Sequence, residues 1–191
     1  MRKVFADALK RNLRTMFLAR FPVFKPYKPT QTPEDKQKYA LPLSTDYFCR
    51  FQDNILEILG IRRLSQDTWT LEIFWSVYGK FPSSRLLCDV GIQDLEKMVK
   101  QPEAHTCAST IAPQGVSGNW QVWQCSATTD DDDYKQRYIT EYMQEIIPEE
   151  AEKKVIAQLN ATFVFIDKYV LPFFERVEAN AGESDDNRLL D

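Results

Sequence analysis

Between Tyr47 and Tyr78 the chain reads as three strands and two turns, and this pattern restricts the fold more than any other feature. Tyr47-Phe-Cys-Arg-Phe51 leads into Gln52-Asp53-Asn54, then Ile55 to Leu64, then Ser65-Gln-Asp-Thr68, then Trp69 to Tyr78. Successive side chains of a strand point to opposite faces, so Trp69, Leu71, Ile73, Trp75 and Val77 share one face. Thr70, Glu72 and Ser76 take the other face, with Phe74 and Tyr78 intruding on it. Short polar turns between such runs predict an antiparallel meander. The pattern specifies architecture and little chemistry, because its outward residues, Arg50, Glu72 and Ser76, join no His, Cys or Gly constellation elsewhere.

The flanking segments supply helices and further strands. From Lys3 to Arg20, Phe5, Leu9, Leu13, Met16 and Phe17 recur at helical spacing, with Lys10, Arg11 and Arg14 on the opposite arc. Pro22, Pro26, Pro29 and Pro33 then forbid a helix, so residues 21–45 form an extended connector whose aromatics fold back onto the domain. A turn at Gly79-Lys-Phe-Pro-Ser83 precedes a fourth strand through Leu86, Cys88 and Val90, and Ile92 to Lys100 has short helical spacing. Glu103 to Asn119 reads as loop, and Asn119 to Ser126 as a strand with Trp120 and Val122 on one face and Trp123 and Cys125 on the other.

Asp130, Asp131, Asp132 and Asp133 precede a helix containing Tyr134, Tyr138, Tyr142, Met143 and Ile146. Pro148 suits the first turn of a longer helix striped by Val155, Leu159, Phe163, Ile166 and Val170, which Pro172 should kink or end. The predicted fold is α+β: an antiparallel meander sheet of four or five strands, with the N- and C-terminal helices packed on one face. Residues 1–180 make a single domain, and 181–191 a flexible acidic tail.

Composition narrows the function classes. Hydrophobic residues make up 43% of the 191, enough for a real core, and no apolar run approaches the roughly 20 residues a membrane helix needs. Asp7, Lys10, Arg11, Asn12 and Arg14 interrupt any apolar signal core, so the expected location is the cytoplasm. Cys49, Cys88, Cys107 and Cys125 are widely scattered and read as reduced structural thiols. The formal charge of -4 hides a basic first 28 residues and an acidic stretch from Asp130 onward. Such polarity steers a charged partner or draws the two ends of one domain together.

Sites for chemistry are sparse. His105 is the sole histidine; with Cys107 and Cys125 it falls short of the close-set pairs of a structural zinc site. No G-x-S-x-G and no phosphate-cradling glycine loop exists, so no catalytic residue, metal or cofactor is expected. Glu72 and Asp89 would make an acid pair only if the fold brought them together. The run Asp130–Asp133 serves first as a helix start and solvated cap, second as a surface for a basic partner, third as an oxygen-rich cation site. Trp120 and Trp123 are the best recognition anchors, with one of the two expected in the core.

The order of helix, proline-bearing connector, meander and closing helices, together with Trp69-Thr-Leu-Glu-Ile-Phe-Trp-Ser76 and Leu171-Pro172-Phe173-Phe174, resembles a bacterial family of α+β domains of unknown function. Some members of that family lie in toxin–immunity gene neighbourhoods, and the family brings no catalytic residues with it. The resemblance implies an immunity-type protein that binds and neutralises a basic toxin without enzymatic activity. Asp130, Asp131, Asp132, Asp133, Glu141 and Glu145 would then imitate nucleic-acid phosphates, with Trp120 and Trp123 as held contacts. The rival expectation is an enzyme or small-ligand protein with a pocket between the sheet and the last helix, using Glu72, Asp89 or His105. Nucleic-acid binding through the basic first helix and Arg20–Lys28 stands third, against the acidic total.

Overall fold

The alternation in the meander drives three long strands together, and the remaining elements assemble around them. The computed structural model describes residues 2–30, 33, 45–52, 55–76, 86–91, 107–112, 119–122 and 133–186. In chain order these form α1 (Arg2–Arg20), β1 (Lys25–Tyr27), β2 (Thr45–Gln52), β3 (Ile55–Arg63), β4 (Thr68–Ser76), β5 (Leu86–Gly91), β6 (Cys107–Ala112) and β7 (Asn119–Gln121). There follow α2 (Tyr134–Met143), α3 (Pro148–Phe165), a π turn (Ile166–Val170) and α4 (Leu171–Asp186). The architecture is α+β, with β1, β2, β3 and β4 as a four-strand antiparallel meander and α1 packed against α3.

The meander's registers run from Thr45 opposite Arg62 to Gln52 opposite Ile55, and from Arg63 opposite Trp69 to Leu56 opposite Ser76. Its second turn is pinned by side chains: Ser65 Oγ donates to Asp67 Oδ1 at 2.6 Å, and Leu64 N–H donates to the Thr68 carbonyl at 2.9 Å. Polar turn residues thus replace the ladder bonds missing at the bend.

Among the described residues the sheet has seven strands, past the predicted four or five. β6 and β7 both pair with β4 on its far edge, antiparallel, and β5 pairs with β6 in parallel. β6 occupies part of the stretch expected as loop. Its residues, Cys-Ala-Ser-Thr-Ile-Ala, lack large alternating side chains, so pairing on both edges rather than intrinsic propensity makes it a strand. β1 lies in the proline-bearing connector at the sheet's edge, where Pro26 needs no N–H to donate to a further strand. The predicted helix from Ile92 to Lys100 lies outside the described residues.

One face of the sheet carries Phe48, Leu59, Ile61, Trp69, Leu71, Ile73 and Trp75 into the main core, which α1, α3 and α4 close. Phe17 is its hub: it stacks on Phe48 with ring centroids 3.8 Å apart and meets Phe24 and Phe163 edge-on at 5.9 and 5.8 Å. Trp69 Nε1–H donates to Thr162 Oγ1 at 3.1 Å, and the Thr162 hydroxyl donates to the Gln158 carbonyl, so the buried indole has a partner on α3. Pro172 neither ends nor breaks the long helix. Leu171 N–H reaches back to the carbonyl of Ile166, and this widened turn relieves the crowding that a proline ring causes in a regular helix. The helix therefore continues past Gly182 to Asp186, into the segment expected as a flexible tail.

The opposite face was expected to be outward and polar. It is buried instead: Tyr47, Leu56, Ile58 and Phe74 form a second apolar cluster, with Thr70 and Glu72 buried beside it. Gly60 is required there, because a Cβ at that position would stand 2.9 Å from the Tyr47 ring. Arg50 is not outward either; it lies on the helix side of the sheet, mostly covered, over the Phe24 ring at 5.4 Å.

Candidate functional site

The helix α2 departs from the packing seen elsewhere. Tyr134, Tyr138 and Tyr142 recur every four residues, so their rings line one side at centroid spacings of 5.9 Å. Tyr138, Tyr142 and Ile146 are half-buried against the main core, yet no α2 residue is fully buried. Away from the core, Ile139, Met143 and Ile147 are 56%, 71% and 62% exposed. Ile139 and Met143 stand one turn apart on α2, and Ile147 follows after the helix ends at Met143 and Gln144 turns extended. Val23, Phe51, Leu64 and Val164 are also exposed but stand singly on separate elements. Exposed apolar side chains grouped in one segment are a feature of partner-binding surfaces, whereas singly scattered ones are not.

This segment runs into the start of α3, where Pro148 occupies the first turn and Glu149 and Glu150 follow it. The amides of Glu150 and Ala151 donate to the Ile147 carbonyl, both at 3.1 Å, which holds Ile147 at the junction. Glu145, Glu149 and Glu150 are exposed around this end, and Asp133 is exposed at the other. Lys135 and Arg137 are the basic residues of α2. The face therefore combines apolar anchors with an excess of acids.

Of the residues expected in the site, Glu145 and Asp133 are exposed on this part of the molecule and Glu141 is half-buried. The Asp133 side chain makes no capping hydrogen bond, so the expected role as a helix cap is not filled there. Asp130, Asp131, Asp132 and Trp123 lie outside the described residues. Trp120 is a core residue: it is 8% exposed, sits opposite Trp69 and meets Phe165 edge-on at 5.4 Å. Pairing of β7 with β4 carries it under the helices, and it presents no anchor. The anchors missed were Ile139, Met143 and Ile147. Their signal was a short helix with two apolar rows, one already supplied by tyrosines.

Two buried charged groups also emerge. Glu57 is fully buried on the helix side of β3 and pairs with Arg50, whose guanidinium also donates to Glu178 Oε1 of α4 at 3.3 Å. Burial pushes the Glu57 carboxyl up to about 8, the hydrogen bond with Glu178 adds to this, and Arg50 opposes it. On the other face Glu72, expected to be exposed, pairs with Arg62 at 3.0 Å. Registers place Glu72, Thr110 and Asp89 in one row across β4, β6 and β5, so the two acids stand two strands apart, about 10 Å between backbones.

Among the described residues, Trp75, Phe173, Phe174 and Val177 pack into the core between sheet and last helix, where a pocket was the rival expectation. His105 lies outside the described residues. Among the described residues no group of three His, Cys, Asp or Glu is placed to hold a metal, and no helix is long and apolar enough to cross a membrane. The basic arc of α1 is partly engaged within the domain: Arg11 and Asn12 bind Glu152, and Arg20 binds Asp167. The Asn12 amide and Arg11 hold the Glu152 carboxyl below its ordinary value.

Fold and face together define an α+β meander domain that displays a short helix with exposed apolar side chains, flanked at both ends by exposed acids. Compared with known protein families, curated proteins and solved structures, the chain matches none.

Proposed function

We propose that this chain is a non-enzymatic protein-binding domain of the immunity type, which neutralises a basic toxin by covering its active surface with the α2 face. The observation that carries the reading is the exposure of Ile139, Met143 and Ile147 in a segment that also exposes Asp133, Glu145, Glu149 and Glu150. Apolar anchors resist dissociation, while surrounding acids speed encounter with a basic partner. The acids Asp130, Asp131 and Asp132 precede the same helix in sequence and extend its charge.

The test is binding and growth rescue with the protein encoded by the adjacent gene. Met143→Ser with Ile147→Ser should raise Kd by about tenfold or more, mainly through faster dissociation. Replacing Asp130–Asp133 with Asn should slow association and flatten its salt dependence. Failure to rescue growth, or binding indifferent to both sets of substitutions, would overturn the proposal.

A further inference from the structure

A separate group of side chains converges where the β1–β2 pair ends beneath α1. In that ladder Pro26 lies opposite Phe48 and Tyr27 opposite Tyr47, and β1 stops there. Lys28 leaves the ladder at the level of Asp46, and a cleft of about 350 Å³ opens between them and Arg14 of α1. That volume falls at the lower end of the range for small-molecule sites, roughly 300–1,000 Å³.

The lining is chemically divided. Pro26 supplies an exposed apolar surface, whereas Phe48 beneath it is 2% exposed and stacks on Phe17. Arg14 and Lys28 supply two positive charges, and among the described residues neither makes an ion pair. This distinguishes Arg14 from its neighbours on α1, since Arg11 and Arg20 are held by acids of α3. Asp46 is the acid of the lining and restricts where a ligand's negative charge can sit.

We propose that this cleft binds a small organic anion, its carboxylate or phosphate held between Arg14 and Lys28 and its apolar body against Pro26. Guanidinium and ammonium groups both bind such oxyanions, the first as a planar fork and the second as a point charge. The site is independent of the α2 face and would stand if that face bound nothing.

The test is calorimetric titration of the full chain with inorganic phosphate, adenosine monophosphate and benzoate, against sodium chloride at matched ionic strength. At least one organic probe should bind saturably, and comparison of the two organic probes identifies the preferred anionic group. Arg14→Gln with Lys28→Gln should weaken that binding tenfold or more. Arg11→Gln, which touches the α3 contact instead, should leave it unchanged. Absence of saturable binding by either organic probe would overturn the assignment. So would undiminished binding in a double variant whose thermal unfolding shows it folded. Phosphate binding alone, without gain for an organic probe, would overturn the role of Pro26.

Discussion

The helices α1 and α2 are both amphipathic, yet they meet different fates. On α1, Phe5, Leu9, Leu13 and Phe17 are all buried, and the polar side is partly tied to α3 by Arg11, Asn12 and Arg20. On α2 one apolar row is half-covered and the second, Ile139 and Met143, faces water. The difference separates apolar surface buried in the fold from apolar surface left in water. Apolar surface removed from water stabilises the fold at about 25 cal/mol per Å², whereas the same surface left exposed is available to a partner.

Substitutions should separate the two helices, beginning with the deepest site. Phe17→Ala removes the ring that stacks on Phe48 and touches Phe24 and Phe163, and should cost about 3–5 kcal/mol in chemical denaturation. A cost below about 1 kcal/mol would mean that α1 is not the keystone described here.

The next effect depends on pH and tests how α4 is tied to the sheet. Because the folded Glu57 carboxyl lies at about 8, above its unfolded value, its contribution is fully present below the ordinary carboxylate range. It is lost as pH rises toward and through about 8. Each pH unit of displacement corresponds to about 1.4 kcal/mol, so the loss amounts to a few kcal/mol. Thermal unfolding should therefore shift to lower temperature between pH 5 and pH 8.5, and Glu57→Gln should flatten that slope. An unchanged slope in a folded Glu57→Gln variant would assign the dependence to other groups. The smallest effect is expected on α2: Ile139→Ser with Met143→Ser should change stability by about 0.5 kcal/mol or less, as for exposed surface positions. A larger loss in denaturation would show that this row packs within the domain.

Much of the fold was legible because its signals are local. Spacing of four and three residues marked the buried side of α1, and alternation marked Trp69, Leu71, Ile73 and Trp75 as core. Less of the candidate site was legible. Acidity near Asp133 and Glu145 was visible, but Trp120 was read for its size, and only β7 pairing decides that it is buried. Met143 was grouped with the tyrosines because a short helix reveals its periodicity without showing which side meets the core.

The sequence by itself determined the meander, the amphipathic first helix, the proline-opened α3 and the acidic approach to α2. These depend on residue type at short spacing, which backbone geometry converts directly into faces and turns. Tertiary structure alone decided that the sheet's second face is buried, that small residues form β6, and that Arg50 joins Glu57 to Glu178, 128 residues further along the chain from Arg50. It also decided which apolar row of α2 meets the core. Those outcomes depend on which distant segments arrive at a surface, and burial belongs to the assembled surfaces rather than to any one segment.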